Sequence, residues 1–482
     1  MNSGTTLAIV LTTLSLSYFL YIGVRSAPQA RSLVGFFLAN RTLTDRALGH
    51  TVAAAGLSNA AVGLAYLLIF PSFGFWTLIA LAANALGQIL FIRLVATVME
   101  RHSYDLADFT TVGNLLLKAT SSRRLSWLAD AVTITAFTAA LLAEFVIGAQ
   151  LFSAAMPGVP FSEYIGFAIV AAIVISYIVT GGFVATVESD SWQLRLIVAA
   201  CLSLVLLGIA FLAFPQSPPT EAPSFVPGGA APNLTIALWA VNTVFLSLLF
   251  PIGQLTSWQR VAATKPGARI KGLWRGFWLL LFFYSAFSFT GYVFARQGRP
   301  VSSWADVFQV MLDYGGIFHQ FLYPVLFVGL VAAMISTADS NAVAVIYSRF
   351  STAVGDHKEV TWSFVQRKIY IACVVLFAFL LAFFVIYKEF GNPQWFLQII
   401  FALFGFYLLL VPLVASVVLG RSRVRSERAL FYGLLTGALI LLAIGLPGFF
   451  SNSLSFILAG NLAGMSITGI SVAYGLGRRG VT

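Results

Sequence analysis

Long apolar stretches separated by short polar segments occupy most of the chain. Runs of about 18 to 28 apolar residues are long enough to cross a bilayer as helices, and they predict about thirteen spans. The predicted spans are 7–22, 51–70, 75–98, 127–155, 162–179, 191–214, 234–257, 273–295, 319–347, 369–387, 394–419, 429–446 and 454–476. This pattern predicts an all-α integral membrane protein.

Lysines and arginines gather in alternate loops between these spans. The basic segments are 25–46, 93–124, a stretch that begins with Arg260, 349–368, 421–428 and 478–479. Because basic loops stay on the cytoplasmic side, they place the N-terminus outside and the C-terminus in the cytoplasm of a plasma or inner membrane, with an odd number of spans. Arg296, Arg299 and Lys388 are exceptions. The short acidic stretch between residue 179 and Arg195 is predicted to be a cytoplasmic loop.

Composition supports this class and excludes several others. Hydrophobic residues make up 59% of the chain and charged residues 9%, and the net charge of +11 comes from basic residues scattered between apolar runs. Such scatter indicates membrane topology rather than nucleic-acid binding. Cys201 and Cys373 lie in apolar runs, and the four histidines are far apart, so neither a disulfide framework nor zinc chemistry is expected. Membrane lipid and a small-molecule solute are the expected partners. No organic cofactor, nucleic acid or obligate protein partner is expected.

The ninth predicted span carries an unusual cluster of oxygens. Ala333, Ser336, Thr337 and Ser340 share one helical stripe, and Asp339 lies on its flank. Oxygen ligands without nitrogen or sulfur suit a hard cation, and an acid inside a membrane usually marks an ion or substrate path. The alternative is that these small hydroxyl residues serve only helix contacts.

A Pro-rich segment, 215–232, divides the chain into two halves. The helices that open the two halves run in opposite directions, as an inverted repeat requires. Gly56 in one opening helix, and Pro251 and Gly253 in the other, predict interruptions that free backbone carbonyls. The predicted layout is a single transmembrane domain with a leading helix and loop (1–49), a first repeat (50–215), a second repeat (233–420) and two trailing helices (421–482).

Four sequence elements carry a resemblance to a known family. They are Gly35-Phe-Phe-Leu-Ala-Asn-Arg-Thr-Leu, Thr180-Gly-Gly-Phe-Val-Ala-Thr-Val-Glu-Ser-Asp-Ser-Trp-Gln, Trp258-Gln-Arg-Val-Ala-Ala and Ala332-Ala-Met-Ile-Ser-Thr-Ala-Asp-Ser. In this order they resemble the sodium/solute symporter family, which includes sodium-glucose and sodium-proline transporters. Asn40 departs from the family's glycine and Ser189 from its threonine. The resemblance extends from about residue 35 to residue 419.

The resemblance implies a five-plus-five inverted-repeat (LeuT-like) transporter core, with one helix before it and two after it. It also implies that sodium (Na+) binds between the broken first core helix and the eighth core helix. The implied ligands are the backbone carbonyls of Leu57, Ala60 and Ala333 and the hydroxyls of Ser336 and Thr337.

A second cation site is also expected. Asp190 resembles the family's exit-path aspartate, near which some members bind a second sodium ion. Together with Ser336, Asp339 and Ser340 it forms the candidate site. The alternatives for Asp339 are a structural hydrogen bond or a role as proton carrier.

Six residues are candidates for binding the solute. Glu144 is the other acid deep in a span, where a ligand amine, a proton or a neighbouring hydroxyl is its expected partner. The other candidates are Asn59, Gln88, Asn242, Trp395 and Gln398. For each of them the two alternatives are that the side chain faces a central cavity, or that it serves only contacts between helices.

These observations predict a sodium-coupled symporter that imports a small polar organic solute by alternating access. A proton-coupled symporter of the same fold is the first alternative. A transporter-like solute-sensing module is the second, and the absence of a soluble output region before Thr482 weighs against it. We do not expect an enzyme, because the sequence offers no acid/base pair or metal set at one membrane depth.

Overall fold

The structure is a computed structural model whose described residues are 3–58, 67, 77–102, 111–156, 159–214, 233–297, 301, 303–354, 362–390, 395–418, 423–451 and 453–477. Most of these residues are helical. Ten helices in the described ranges are long and apolar enough to cross a membrane. The Pro-rich segment 215–232, Asn59 and Ala60 lie outside the described residues, as does the side chain of Trp395.

The helices follow the apolar runs, usually with a few more residues at each end. The first seven are α1 (Ser3–Ser26), α2 (Leu33–Leu38), α3 (Asp45–Gly56), α4 (Thr77–His102), α5 (Val112–Thr120), α6 (Arg123–Ala155) and α7 (Ser162–Ala213). The others are α8 (Asn233–Gly253), α9 (Leu255–Ala262), α10 (Arg269–Arg296), α11 (Trp304–Tyr314), α12 (Tyr323–Val354), α13 (Trp362–Phe390), α14 (Trp395–Val418), α15 (Glu427–Phe450) and α16 (Leu454–Gly475). Two short strands, β1 (Arg423–Val424) before α15 and β2 (Leu476–Gly477) after α16, pair in antiparallel orientation.

Helix α3 ends where the sequence predicted an interruption. Thr44 caps its first turn by accepting a hydrogen bond from the Ala47 amide, so the helix begins before the predicted start at residue 51. It stops at Gly56, and Leu57 has non-helical dihedral angles (φ −95°, ψ 80°). The carbonyls at this end therefore need partners from outside the helix.

The second opening helix is interrupted as well. α8 contains Pro251 and ends at Gly253, and α9 begins at Leu255 after one extended residue. The indole of Trp258 donates to the Ile252 carbonyl over 2.8 Å and so satisfies an acceptor next to the break. The single predicted span 234–257 is therefore two helical segments, and the second continues to Ala262.

The prediction of a loop between residue 179 and Arg195 is wrong, whereas its cytoplasmic location stays a prediction. Helical structure continues through this stretch, and the chain changes direction at the single residue Gly182 (φ 53°, ψ −147°). Only glycine adopts this conformation readily, because it has no Cβ. An apolar-run count cannot separate a one-residue turn from a short loop.

Helix α12 lies at the centre of the bundle. Of the best membrane-spanning window in Phe318–Ser348, 83% is buried, against 33% for α1, α13 and α15. α12 packs against α1, α3, α6 and α7. The oxygen-bearing stripe of the ninth predicted span therefore faces protein.

Two further features relate the halves of the chain. The short helices α5 and α11, which the span count did not predict, precede α6 and α12 respectively. A backbone ladder joins the segments that flank α3 and α9: the Leu43 amide donates to the Ala263 carbonyl and the Lys265 amide donates to the Leu43 carbonyl, each over 3.1 Å. The proposed repeat boundaries at 50–215 and 233–420 stay a prediction.

Candidate functional site

The end of α3 meets the centre of α12. The hydroxyl of Thr337 donates to the Leu57 carbonyl over 3.3 Å, and Leu57 and Thr337 are 1% and 6% exposed. Ala333, one turn earlier on α12, is also buried. The structure therefore brings together two of the predicted sodium ligands and places Ala333 and Ser336 in the same buried part of α12; Ala60 lies outside the described residues.

Side chains from two other helices also bond to residues at the end of α3. The Tyr284 hydroxyl of α10 donates to the Gly56 carbonyl over 3.1 Å. The Ser58 hydroxyl donates to the carboxylate of Glu144 on α6, which is 1% exposed. Glu144 thus lies next to the interruption in the first opening helix. The sequence indicated neither Ser58 nor Tyr284 as a residue that bonds at this interruption.

Asp190 on α7 links three helices. Ser336 of α12 donates to Asp190 Oδ1 over 2.6 Å, and Thr51 of α3 donates to Oδ2. All three side chains are fully buried. Hydrogen bonds from two hydroxyls stabilise the ionised form of this acid inside the bundle.

Arg260 is a further member of this cluster, and its predicted place in a cytoplasmic loop is wrong. Its guanidinium donates to the Thr51 hydroxyl over 3.0 Å, to the Thr256 carbonyl over 3.2 Å and to the Ser340 hydroxyl over 2.7 Å. The residue is 3% exposed, because α9 extends inward past residue 257. The sequence signal that could have found it is the Gln-Arg pair, since Gln259 also turns inward and donates to the Phe37 carbonyl.

The chain of contacts ends at Asp339. Ser340 accepts from Arg260 and donates to Asp339 Oδ1 over 3.1 Å. Asp339 is fully buried, and its Oδ2 has no hydrogen-bond partner among the described residues. The members of the predicted second cation site, Asp190, Ser336, Asp339 and Ser340, therefore belong to one connected cluster. It contains two acids and one base, so a further positive charge would balance it.

The described candidate solute-binding residues lie on different helices. The amide nitrogen of Asn242 donates to the Leu238 and Leu458 carbonyls over 3.0 and 2.9 Å, which joins α8 to α16 and matches the cross-helix alternative. Gln88 is partly buried on α4, and Gln398 is buried on α14. Solute binding by these residues stays a prediction.

Comparison with known proteins supports the resemblance. The family model of the sodium:solute symporter family matches residues 36–220. This range contains α3, Glu144 and Asp190, whereas Arg260 and the α12 cluster lie beyond it. A sequence search of curated proteins finds no match.

Solved structures of transporters share the fold. A Na+-coupled sialic acid symporter in a substrate-bound outward-open state is 12% identical with a TM-score of 0.65, and the match covers 98% of this chain and 99% of the symporter. A mutant manganese transporter from Eremococcus coleocola is 13% identical with a TM-score of 0.57, over 91% of this chain and 96% of the transporter. MhsT in complex with L-phenylalanine is 14% identical with a TM-score of 0.53, over 92% and 97%. The predicted all-α transporter fold is confirmed.

Proposed function

We propose that this relative of the sodium:solute symporters imports a small polar organic solute together with sodium, by alternating access. The observation that carries the proposal is the contact between Thr337 on α12 and the Leu57 carbonyl at the end of α3. It joins a hydroxyl and a freed carbonyl at the place where the family resemblance puts the ion.

The chemistry of these groups suits sodium. The proposed ligands are the carbonyls of Leu57, Ala60 and Ala333 and the hydroxyls of Ser336 and Thr337, all of which are neutral oxygens that hard cations prefer. The Ser336 hydroxyl donates its hydrogen bond to Asp190, so the lone pairs of its oxygen are available to a cation. Asp190 thereby increases the negative charge on the Ser336 oxygen without being a ligand itself.

Coupling follows from the position of the site between two helices. An ion held jointly by α3 and α12 favours conformers in which these helices are close together, and it shifts a population only as far as its affinities for the conformers differ. We propose that solute binding favours the same conformer. In the cell, sodium would enter from the side of the N-terminus, across a plasma or inner membrane.

The test is sodium binding by the full-length protein in detergent, which needs no knowledge of the solute. Thermal stability is titrated with NaCl against KCl at constant ionic strength, because a ligand that binds only the folded state raises the melting temperature. In the double variant Ser336→Ala/Thr337→Ala we expect sodium affinity to fall by about tenfold or more, which corresponds to roughly 1.4 kcal/mol of binding free energy.

The matched control is Thr133→Ala/Ser203→Ala. Both hydroxyls are buried and bond to carbonyls of their own helices, Ala129 and Ala199. The control should keep the wild-type sodium response. An unchanged sodium response in Ser336→Ala/Thr337→Ala would contradict the proposed site. Screening small solutes with and without sodium then identifies the cargo.

A proton is the second candidate for the coupling ion. The supporting observation is the buried cluster of two acids and one base, in which Asp339 Oδ2 has no partner among the described residues. Either a proton or a second sodium ion at Asp339 would balance the charge. Uptake measured against sodium at fixed pH, and against pH at fixed sodium, separates these two ions.

A further inference from the structure

A shallow pocket, open to the surroundings, lies on the surface between α6, a helix of the core, and α15, the first trailing helix. Its volume is about 490 Å³, and it is lined by Arg123, Arg124, Trp127, Leu128 and Phe431. All four α6 residues come from the first two turns of that helix. The pocket is distant in sequence from every residue of the sodium site.

The lining is divided into a charged part and an apolar part. Arg123 and Arg124 are exposed and form the start of α6, whose first turn contains no acidic residue. Trp127 is 63% exposed one turn further along, and Leu128 and Phe431 are partly buried beside it. The pocket therefore has a mainly apolar lining with two arginines beside it.

The neighbouring charges are mainly basic. Lys118 at the end of α5 and Arg428 on α15 are exposed. One acid at this junction is Glu427, whose carboxylate accepts a hydrogen bond from Ser122, the residue that caps α6. This hydrogen bond connects α15 to the start of α6. The buried Asp130 of α6, which lies against Gly113 of α5, is a second acid near this junction. Against Lys118, Arg123, Arg124 and Arg428, these two acids leave the formal charge positive.

We propose that this pocket binds the headgroup of an anionic phospholipid of the cytoplasmic leaflet. Arginine pairs with phosphate through two parallel hydrogen bonds, and tryptophan prefers the boundary between headgroups and acyl chains. The start of α6 lies in a predicted cytoplasmic segment, the side on which anionic lipids attract basic residues. A soluble phosphate would use the arginines but not Trp127, Leu128 or Phe431, so the apolar part favours a lipid.

The bound lipid would contact both the core and the trailing helices. Its phosphate would contact α6 and its acyl chains the surface between α6 and α15. Because the pocket does not involve the sodium site, lipid binding and sodium binding are expected to be separable in variants.

The test uses the full chain, purified in a neutral detergent. Phosphatidylglycerol is titrated against phosphatidylcholine and against inorganic phosphate, with melting temperature as one readout and the number of lipids retained in native mass spectrometry as the other. We expect Arg123→Gln/Arg124→Gln to weaken phosphatidylglycerol binding about 25-fold, or about fivefold for each arginine. Trp127→Ala should weaken binding while keeping the charge.

The matched control is Arg367→Gln/Lys368→Gln, an exposed basic pair near the start of α13 in another predicted cytoplasmic segment. It should keep the wild-type response to phosphatidylglycerol, and all variants should keep the lipid-free melting temperature. Equal binding by the Arg123/Arg124 variant and the control variant would overturn the proposal. So would equal stabilisation by phosphatidylcholine or by inorganic phosphate, the latter because it would indicate a general anion site.

Discussion

Asp190 and Arg260 share one hydroxyl group, because Thr51 donates a hydrogen bond to the acid and accepts one from the base. The three side chains come from α7, α9 and α3, and each is at least 97% buried. Oppositely charged groups taken out of water in this way depend on each other, since removing one leaves the other uncompensated.

This dependence predicts that the charges can be removed together at lower cost than singly. Asp190→Asn and Arg260→Gln should each destabilise the protein by about 3 to 5 kcal/mol. The double variant should be more stable than the sum of the two effects predicts, with a coupling energy of about 1 to 3 kcal/mol. Denaturation of all four proteins in one detergent measures this cycle, and strictly additive effects would contradict the linkage.

The Thr51 hydroxyl can be tested without changing charge. Thr51→Val keeps the shape of the side chain but leaves both Asp190 Oδ2 and Arg260 Nε without this partner. We expect a loss of about 1 to 3 kcal/mol of stability. Thr133→Val is the control, because its buried hydroxyl bonds to the Ala129 carbonyl of its own helix; a similar loss in both variants would remove the special role of Thr51.

Gly182 is predicted to tolerate no side chain. A Cβ atom at this position would lie 2.7 Å from Phe36, and the backbone has a positive φ. We expect Gly182→Ala to lower stability by about 1 to 3 kcal/mol through backbone strain alone, with the contact adding to this cost. Gly267→Ala, where nothing lies within 4 Å of the added atom, should be nearly neutral in the same melting experiment.

The main role predicted for Glu144 is to accept the hydrogen bond from the Ser58 hydroxyl. Glu144→Gln keeps a carbonyl oxygen for this hydrogen bond, so its stability and sodium titration should remain close to those of the wild type. Glu144→Leu removes the acceptor and should cost about 1 to 3 kcal/mol. If Glu144→Gln instead abolishes the sodium response, the negative charge rather than the hydrogen bond is the important property.

The orientation in the membrane is tested by labelling. Asp313→Cys on α11 should react with a membrane-impermeant maleimide added to intact cells, and Gly267→Cys should react only after permeabilisation, because positive-inside topology places them on opposite sides. Cys201 and Cys373 are buried, so the unmodified chain is the blank. The reverse labelling pattern would invert the proposed topology.

The sequence was most informative where a single physical constraint acts. Bilayer thickness sets the length of apolar runs, so most spans could be located. The 3.6-residue period grouped Ala333, Ser336, Thr337 and Ser340 on one stripe, but residues 326–348 of α12 are buried on every side, so the period alone did not distinguish that stripe. Short helices such as α11 fall below the span length and were not predicted. The turn at Gly182 needs one residue and leaves no polar loop to detect.

Arg260 shows why the site could be only partly predicted. Arginines near span ends usually lie in loops, and the topology rule treats them all alike. This arginine is buried because Thr51, 209 positions away, and Ser340, 80 positions away, supply its partners. Contacts at such separations depend on the whole packing of the bundle, which a local pattern does not contain.

The ladder between Leu43 and the segment Ala263 to Lys265 has a mechanical consequence. Two main-chain hydrogen bonds fix the base of the first opening helix to the tail of the second, independently of any side chain. If both hydrogen bonds persist through the proposed transport cycle, the start of α3 and the end of α9 stay together. Relative movement of these two helices is then confined to their other ends. The amides of Leu43 and Lys265 should then exchange slowly in every state of the proposed transport cycle.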